Sequence, residues 1–354
     1  MGRNTHINEV NISFNTTTMG VQTEHFFQGL AMNRSIVELH VTYVQSSEIF
    51  RLLVPFLVNN NSLKTLCVTC KKGGDECLSK IAFALGQFNS LTDFTLFGAS
   101  AYYEGGASCE VIEALAGHAG LKCLSLNNFP IGRDDACIAL VDLLRNPQVI
   151  LESLDLFRTE IYDKGADILS AGLMGNNSLT NLYIGRNGFT EIGWLAIFAM
   201  LKNPQCRLSC LDLMHSNIND AAALSLTNAL RYNSTLKSLS LKDIHSITNS
   251  GWRDLFMGIL HSPHCILEKL DLSDSRGDDP DSMMESLASA LAGNVNLKEL
   301  HLFTCGSATP VGWHLLQQFC VILARDWRYL IWRIIQSMTI SCLNLPWLWP
   351  TIPS

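Results

Sequence analysis

A short frame, apolar-x-x-apolar-x-apolar, returns eleven times along the chain. It reads INEVNI from Ile7, IVELHV from Ile36, LKTLCV from Leu63, LTDFTL from Leu91, LKCLSL from Leu121 and LESLDL from Leu151. LTNLYI from Leu179, LSCLDL from Leu208, LKSLSL from Leu236, LEKLDL from Leu267 and LKELHL from Leu297 follow, at steps of 27 to 31 residues. Each frame predicts a short strand whose fourth and sixth residues point inward and whose third, fifth and seventh point outward. Between frames the apolar spacing turns helical, as at Ala166, Leu169 and Leu173 and again at Met284, Leu287, Ala288 and Leu291. One strand and one helix cannot bury their apolar faces alone, but stacked copies share a continuous core. The expected fold is an α/β solenoid, a horseshoe of about 11 repeats with a parallel sheet on its concave face and helices on its convex face.

The repeats alternate. Gly-Trp occurs at Gly193-Trp194, Gly251-Trp252 and Gly312-Trp313, in every second repeat. The loops alternate as well: RNPQ (145–148), KNPQC (202–206) and HSPHC (261–265) end one kind of repeat, and GNNS (175–178), YNST (232–235) and GNVN (293–296) the other. The unit is therefore a pair of repeats. The three Trp residues are expected to pack at equivalent sites in the core or on the convex surface; a functional Trp row on the convex face is the competing reading.

This pattern resembles the ribonuclease-inhibitor-like class of leucine-rich repeats over residues 7–319. Ribonuclease inhibitor, the sensing arms of NOD-like receptors and Ran GTPase-activating proteins share that class, so the resemblance is specific for fold and not for function. It implies that the ninth frame residue satisfies backbone groups in the turn after the strand. Asn15, Asn187 and Cys305 fit, Thr159, Ser216 and Ser275 are polar substitutes, and the other five positions depart from the pattern. The sequence contains no nucleotide-binding module, which excludes a complete NOD-like receptor and leaves a detached sensing arm open.

The chain of 354 residues is 47% hydrophobic and 16% charged, as a globular protein is. A net charge of -7 argues against nucleic-acid binding, which needs clustered Lys and Arg. The N-terminal MGRNTHINEV lacks the features of a signal peptide, so the twelve Cys read as reduced thiols of a cytoplasmic or nuclear protein. The Asn-x-Ser/Thr triplets at Asn11, Asn15, Asn33, Asn60, Asn176 and Asn233 then read mainly as turn residues.

On the predicted concave face the acids are Glu9, Glu38, Asp93, Asp155, Asp212, Asp271 and Glu299, against only Lys242 and Lys269. Phe97, Phe157, Tyr183, Met214, His301 and Phe303 are interspersed. Exposed aromatic residues beside carboxylates suit anchoring of a partner protein with a basic surface. Asp155, Asp212 and Asp271 recur at the fifth frame position of alternate repeats. They are either ordinary filler or a row that receives Lys and Arg side chains.

Candidate chemistry is sparse. CVTCKKGGDEC supplies Cys67, Cys70 and Cys77, but a structural zinc site wants four ligands and no second CxxC exists. No HExxH, phosphate loop or GxSxG is present. The chain is expected to be neither an enzyme nor a holder of a metal or cofactor. A GTPase-activating role would need a projecting Arg, for which Arg34, Arg133, Arg158 and Arg186 are the turn candidates. Residues 320–354 form an atypical apolar tail or degenerate cap, uncharged from Ile334 to Pro353, with membrane association through 327–350 a minor alternative. The most economical reading is a protein-binding module; a GTPase activator, a ribonuclease-type inhibitor and a receptor or immune sensing arm are the alternatives.

Overall fold

In a computed structural model, residues 6–13, 21–44, 47–70, 74–98, 107–262 and 265–303 are described. The chain divides into two compact units, Met1–Leu208 and Ser209–Ser354. The first holds β1 (Glu9–Ser13), α1 (Val21–Ala31), β2 (Glu38–Val44), α2 (Ser47–Asn59), β3 (Thr65–Cys70), α3 (Gly74–Leu85) and β4 (Asp93–Gly98). It continues with α4 (Ala107–Ala114), β5 (Cys123–Ser125), α5 (Asp134–Arg145), β6 (Ser153–Asp155), α6 (Asp163–Gly175), β7 (Asn181–Tyr183) and α7 (Glu191–Ala199). The second holds β8 (Cys210–Asp212), α8 (Asp220–Leu230), β9 (Ser238–Ser240), α9 (Asn249–Leu260), β10 (Lys269–Asp271), α10 (Pro280–Leu291) and β11 (Glu299–His301). Within each unit the strands are parallel and lie in chain order. Frame pairs with frame, as in Leu154 with Leu182 and Leu239 with Leu270.

The inward residues of the frame and the helical apolar positions are the core. Leu154, Leu156, Ala166 and Leu169 are fully buried, as are Met284, Leu287 and Ala288. The third and fifth frame residues, such as Ser153 and Asp155, stay partly exposed on the sheet face away from the helices. This is a leucine-rich-repeat solenoid.

Backbone pairing runs past the strands. After the sixth residue the chain turns, and the eighth takes a positive φ in six successive repeats: Asn128, Arg158, Arg186, His215, Asp243 and Asp274. The turn aims the eighth N–H at the seventh carbonyl of the next repeat, as from Arg158 to Gly185 at 3.0 Å and from Asp243 to Ser273 at 2.8 Å. The ninth residue then closes the turn. Asn187 donates to the carbonyls of Leu156 and Ile184 and accepts from the N–H groups of Thr159 and Ile161. Thr159 and Ser275 donate to Leu156 and Leu241. Ser216 departs from this, its buried hydroxyl lacking a hydrogen-bond partner among the described residues. Asn15 and Cys305 lie outside the described residues.

The Gly-Trp pairs belong to a latch between repeats. Thr190 caps α7, and its hydroxyl donates to Asp163 Oδ2 at 2.5 Å. Asp163 Oδ1 accepts from the N–H groups of Thr190 and Gly193 at 2.8 and 3.0 Å. Partial burial opposes ionisation of Asp163, but these three donors hold its carboxyl below the usual range. Thr248 caps α9 and grips Asp220 with its N–H and hydroxyl, while the Gly251 N–H donates to the Thr248 hydroxyl. The following Trp is core: Trp194 and Trp252 are fully buried and stack on Phe198 and Phe256. The convex Trp row is thereby overturned for these two; Trp313 lies outside the described residues.

Candidate functional site

The frame places every candidate binding residue on the open sheet face, where each is exposed or half-buried. Glu38 and Asp93 begin β2 and β4, and Phe97 sits near the end of β4. Asp155, Tyr183, Asp212 and Asp271 end β6, β7, β8 and β10. Phe157 and Met214 follow two residues after their aspartates, while Glu299, His301 and Phe303 cluster along and after β11. Among the candidate binding residues Phe97 and Phe303 are the most open of the aromatic ones, at 40% and 44% exposure.

Some of these residues meet and others do not. Asp155 and Tyr183 are register neighbours. In the second unit, His301 lies 3.7 Å from Asp271 and 3.6 Å from Glu299, and its ring meets Phe303 edge-on at 6.1 Å between centroids. Lys269 approaches Glu299 at 3.3 Å. Glu38 and Asp93 are separated by Thr65, and Asp212 and Asp271 by Ser240. Two strand spacings put that last pair about 10 Å apart, too far to share a metal or a proton.

The aspartate row has a structural cause. In each, Oδ1 accepts the backbone N–H two residues on: Phe157 at 2.9 Å, Met214 at 2.8 Å and Ser273 at 2.9 Å. A short carboxylate at this position makes an Asx turn and starts the bend toward the left-handed eighth residue. The second oxygen is engaged too in Asp155, where Ser125 and Asn127 donate to it. The face remains acidic, but these three carboxylates are held in place rather than loose.

Among the described residues the other groups singled out from the sequence do not come together. Cys67 and Cys70 lie on β3 with alternating exposure, Cys67 half-exposed and Cys70 buried, so they point to opposite faces and cannot chelate one ion together. Burial and the neighbouring Asp93 push the Cys123 thiol up to about 11, away from a nucleophilic thiolate. Arg158 and Arg186 occupy the strained eighth positions, and Arg133 precedes α5 and lies 3.6 Å from Asp135. Among the described residues no helix is long and apolar enough to cross a membrane. The apolar tail at 320–354, including 327–350, lies outside them.

Sequence reasoning missed one cluster. Glu9, Glu38 and His40 bring two carboxylates and an imidazole together on β1 and β2, with their ligand atoms within 4.8 Å of one another. The Glu38-x-His40 spacing on one strand face was the available signal; Glu9 needed the strand register.

The repeat, its turns and the parallel strands make this chain a leucine-rich-repeat protein. No family model matches it. It is 32% identical over 168 residues to NACHT, LRR and PYD domains-containing protein 9 of Bos taurus, covering 47% of this chain and 17% of that protein. It is 32% identical over 185 residues to NACHT, LRR and PYD domains-containing protein 14 of Mus musculus, covering 51% and 17%. The corresponding protein 3 of Mus musculus is 31% identical over 166 residues, covering 47% and 15%. The matches thus span less than a fifth of these relatives' length. Leiomodin-1 actin-binding site 2 aligns over 37% of this chain at 23% identity with a TM-score of 0.31, too low to carry an argument.

Proposed function

We propose that the chain is a non-enzymatic binding module that holds a protein partner with a basic surface against its open sheet face. The observation that carries this reading is the set of side chains there: exposed Phe97 and Phe303 among carboxylates fixed by their own turns. Preorganised carboxylates lose little freedom on meeting Lys or Arg, and aromatic residues supply contact area at low entropic cost. The similarity to NACHT, LRR and PYD domains-containing proteins favours, as a second reading, a leucine-rich-repeat sensing arm like theirs.

The test compares capture from source-cell lysate by the full native chain, by a triple Asp155→Asn, Asp212→Asn, Asp271→Asn variant and by a Phe97→Ala, Phe303→Ala variant. Asn keeps the oxygen that caps each turn and removes the charge, so the triple variant should fold normally. Loss of the same partner from both variants, with native binding weakened by salt, is the expected result. Equal capture by all three chains would eliminate this face as the site.

A further inference from the structure

We propose that Glu9, Glu38 and His40 form a binding site for a zinc-class divalent cation. Glu9 and Glu38 are register partners on the parallel strands β1 and β2, and His40 stands two residues beyond Glu38 on the same face. All three project to the open side of the sheet, Glu9 and Glu38 exposed and His40 half-buried.

Strand register distinguishes this place: Glu9 faces Glu38, whereas Asp155 faces Tyr183, Asp212 faces Ser240 and Glu299 faces Lys269. Like charges directly opposite one another on adjacent strands are destabilising. At the equivalent first strand position of β11, Glu299 is met by Lys269 on β10 at 3.3 Å. Among the described residues Glu9 and Glu38 have no Lys or Arg partner. Asn11 donates to Glu9 Oε1 at 2.8 Å, which orients that carboxylate as an outer-shell group does in a metal site.

The donor set selects the ion. Carboxylates alone suit calcium and magnesium, but an imidazole nitrogen shifts the preference toward zinc, cobalt, nickel and copper. Zinc bonds of about 2.0–2.2 Å place tetrahedral ligand atoms roughly 3.5 Å apart. The present spacing therefore closes by small rotations of two exposed glutamates. Three protein ligands leave the fourth position to water. Cys67, the register partner of His40 on β3, is outside the set, because its sulfur is not among the ligand atoms that lie within 4.8 Å of one another.

The deciding experiment titrates the full chain, first stripped with chelator, with zinc chloride by calorimetry and with cobalt(II) by absorption. His40→Ala and the double Glu9→Gln, Glu38→Gln variant are each expected to lose one site or weaken it at least about tenfold. Cys67→Ser should leave it unchanged, and bound cobalt should show no thiolate charge-transfer band. Excess magnesium should not compete. The chain has ten His and twelve Cys, so zinc bound elsewhere would survive these substitutions. Equal stoichiometry and affinity in native chain and His40→Ala would overturn the proposal, as would an absence of saturable binding or a thiolate band. Unchanged metal-free circular dichroism and melting of the variants separate ligand loss from misfolding.

Discussion

Gly193 and Gly251 are required by what their neighbours do. A Cβ at Gly193 would stand 2.5 Å from Asp163 Oδ1, and one at Gly251 would collide with the Asp220 carboxylate. Either Gly→Ala change must expel the latch carboxylate from its donors, at an expected cost of about 2–3 kcal/mol in denaturant melts. Adding Asp220→Ala to Gly251→Ala should cost less than the sum of the two, because the clash disappears; strict additivity would disprove the latch. His118 is a second residue with a readable function. It is fully buried, with Nδ1 accepting from the Leu91 N–H at 3.3 Å and Nε2 3.0 Å from the Leu85 carbonyl. That pattern requires the neutral ring protonated at Nε2. Burial lowers its pKa, against the opposing pull of the Leu85 carbonyl. The unfolded chain therefore takes up a proton near the ordinary value of about 6.5, before the folded one does. The contribution of His118 is complete above that value and declines as pH falls below it toward the lower folded value. Native chain should lose thermal stability between about pH 7 and 5 more steeply than His118→Asn; parallel profiles would refute this assignment.

At the scale of elements, strands and helices were legible because two periods alternate without interruption. Leu154 and Leu156 announce a strand, Ala166, Leu169 and Leu173 a helix, and all five are buried. The turns were legible only in part. Asn187 could be read as a turn closer, whereas the left-handed eighth residue could not. Asn128, Asp243 and Asp274 are types that tolerate positive φ, but Arg158 and Arg186 carry no such signal. Those two arginines hold φ of 55° and 54° because each turn must present its N–H or carbonyl to a neighbouring repeat. A non-glycine residue there sacrifices roughly 1 kcal/mol. Arg158→Gly should recover up to about that amount, less the extra entropy glycine brings to the unfolded chain. A clear decrease in melting temperature would show instead that the Arg158 side chain contributes more than its backbone strain removes.

At the scale of the whole molecule, the stacking was legible and the bonds that specify which repeat follows which were not. The binding face was readable as a composition, since the frame sorts outward from inward positions. The turn-capping bond of each aspartate, however, depends on a bend the composition does not display. The Asp163–Thr190 latch joins residues 27 apart whose types are common everywhere. Its recurrence at Asp220 and Thr248 gives the repeat pair its physical meaning: one partner supplies the carboxylate and the next supplies the Thr-x-x-Gly-Trp segment that grips it. In a solenoid each repeat interacts mainly with its neighbours, so compatibility at a new junction matters more than the length removed. Deleting residues 151–207 removes one carboxylate and its latch together, and joins two frames of the same phase. Deleting only 151–178 removes Asp163 and leaves Thr190 and Gly193 facing a helix that begins with a different sequence. The longer deletion should therefore melt at a higher temperature, and with a sharper transition, than the shorter one. If the shorter deletion proves the more stable, the repeats are interchangeable singly and the paired unit has no energetic basis.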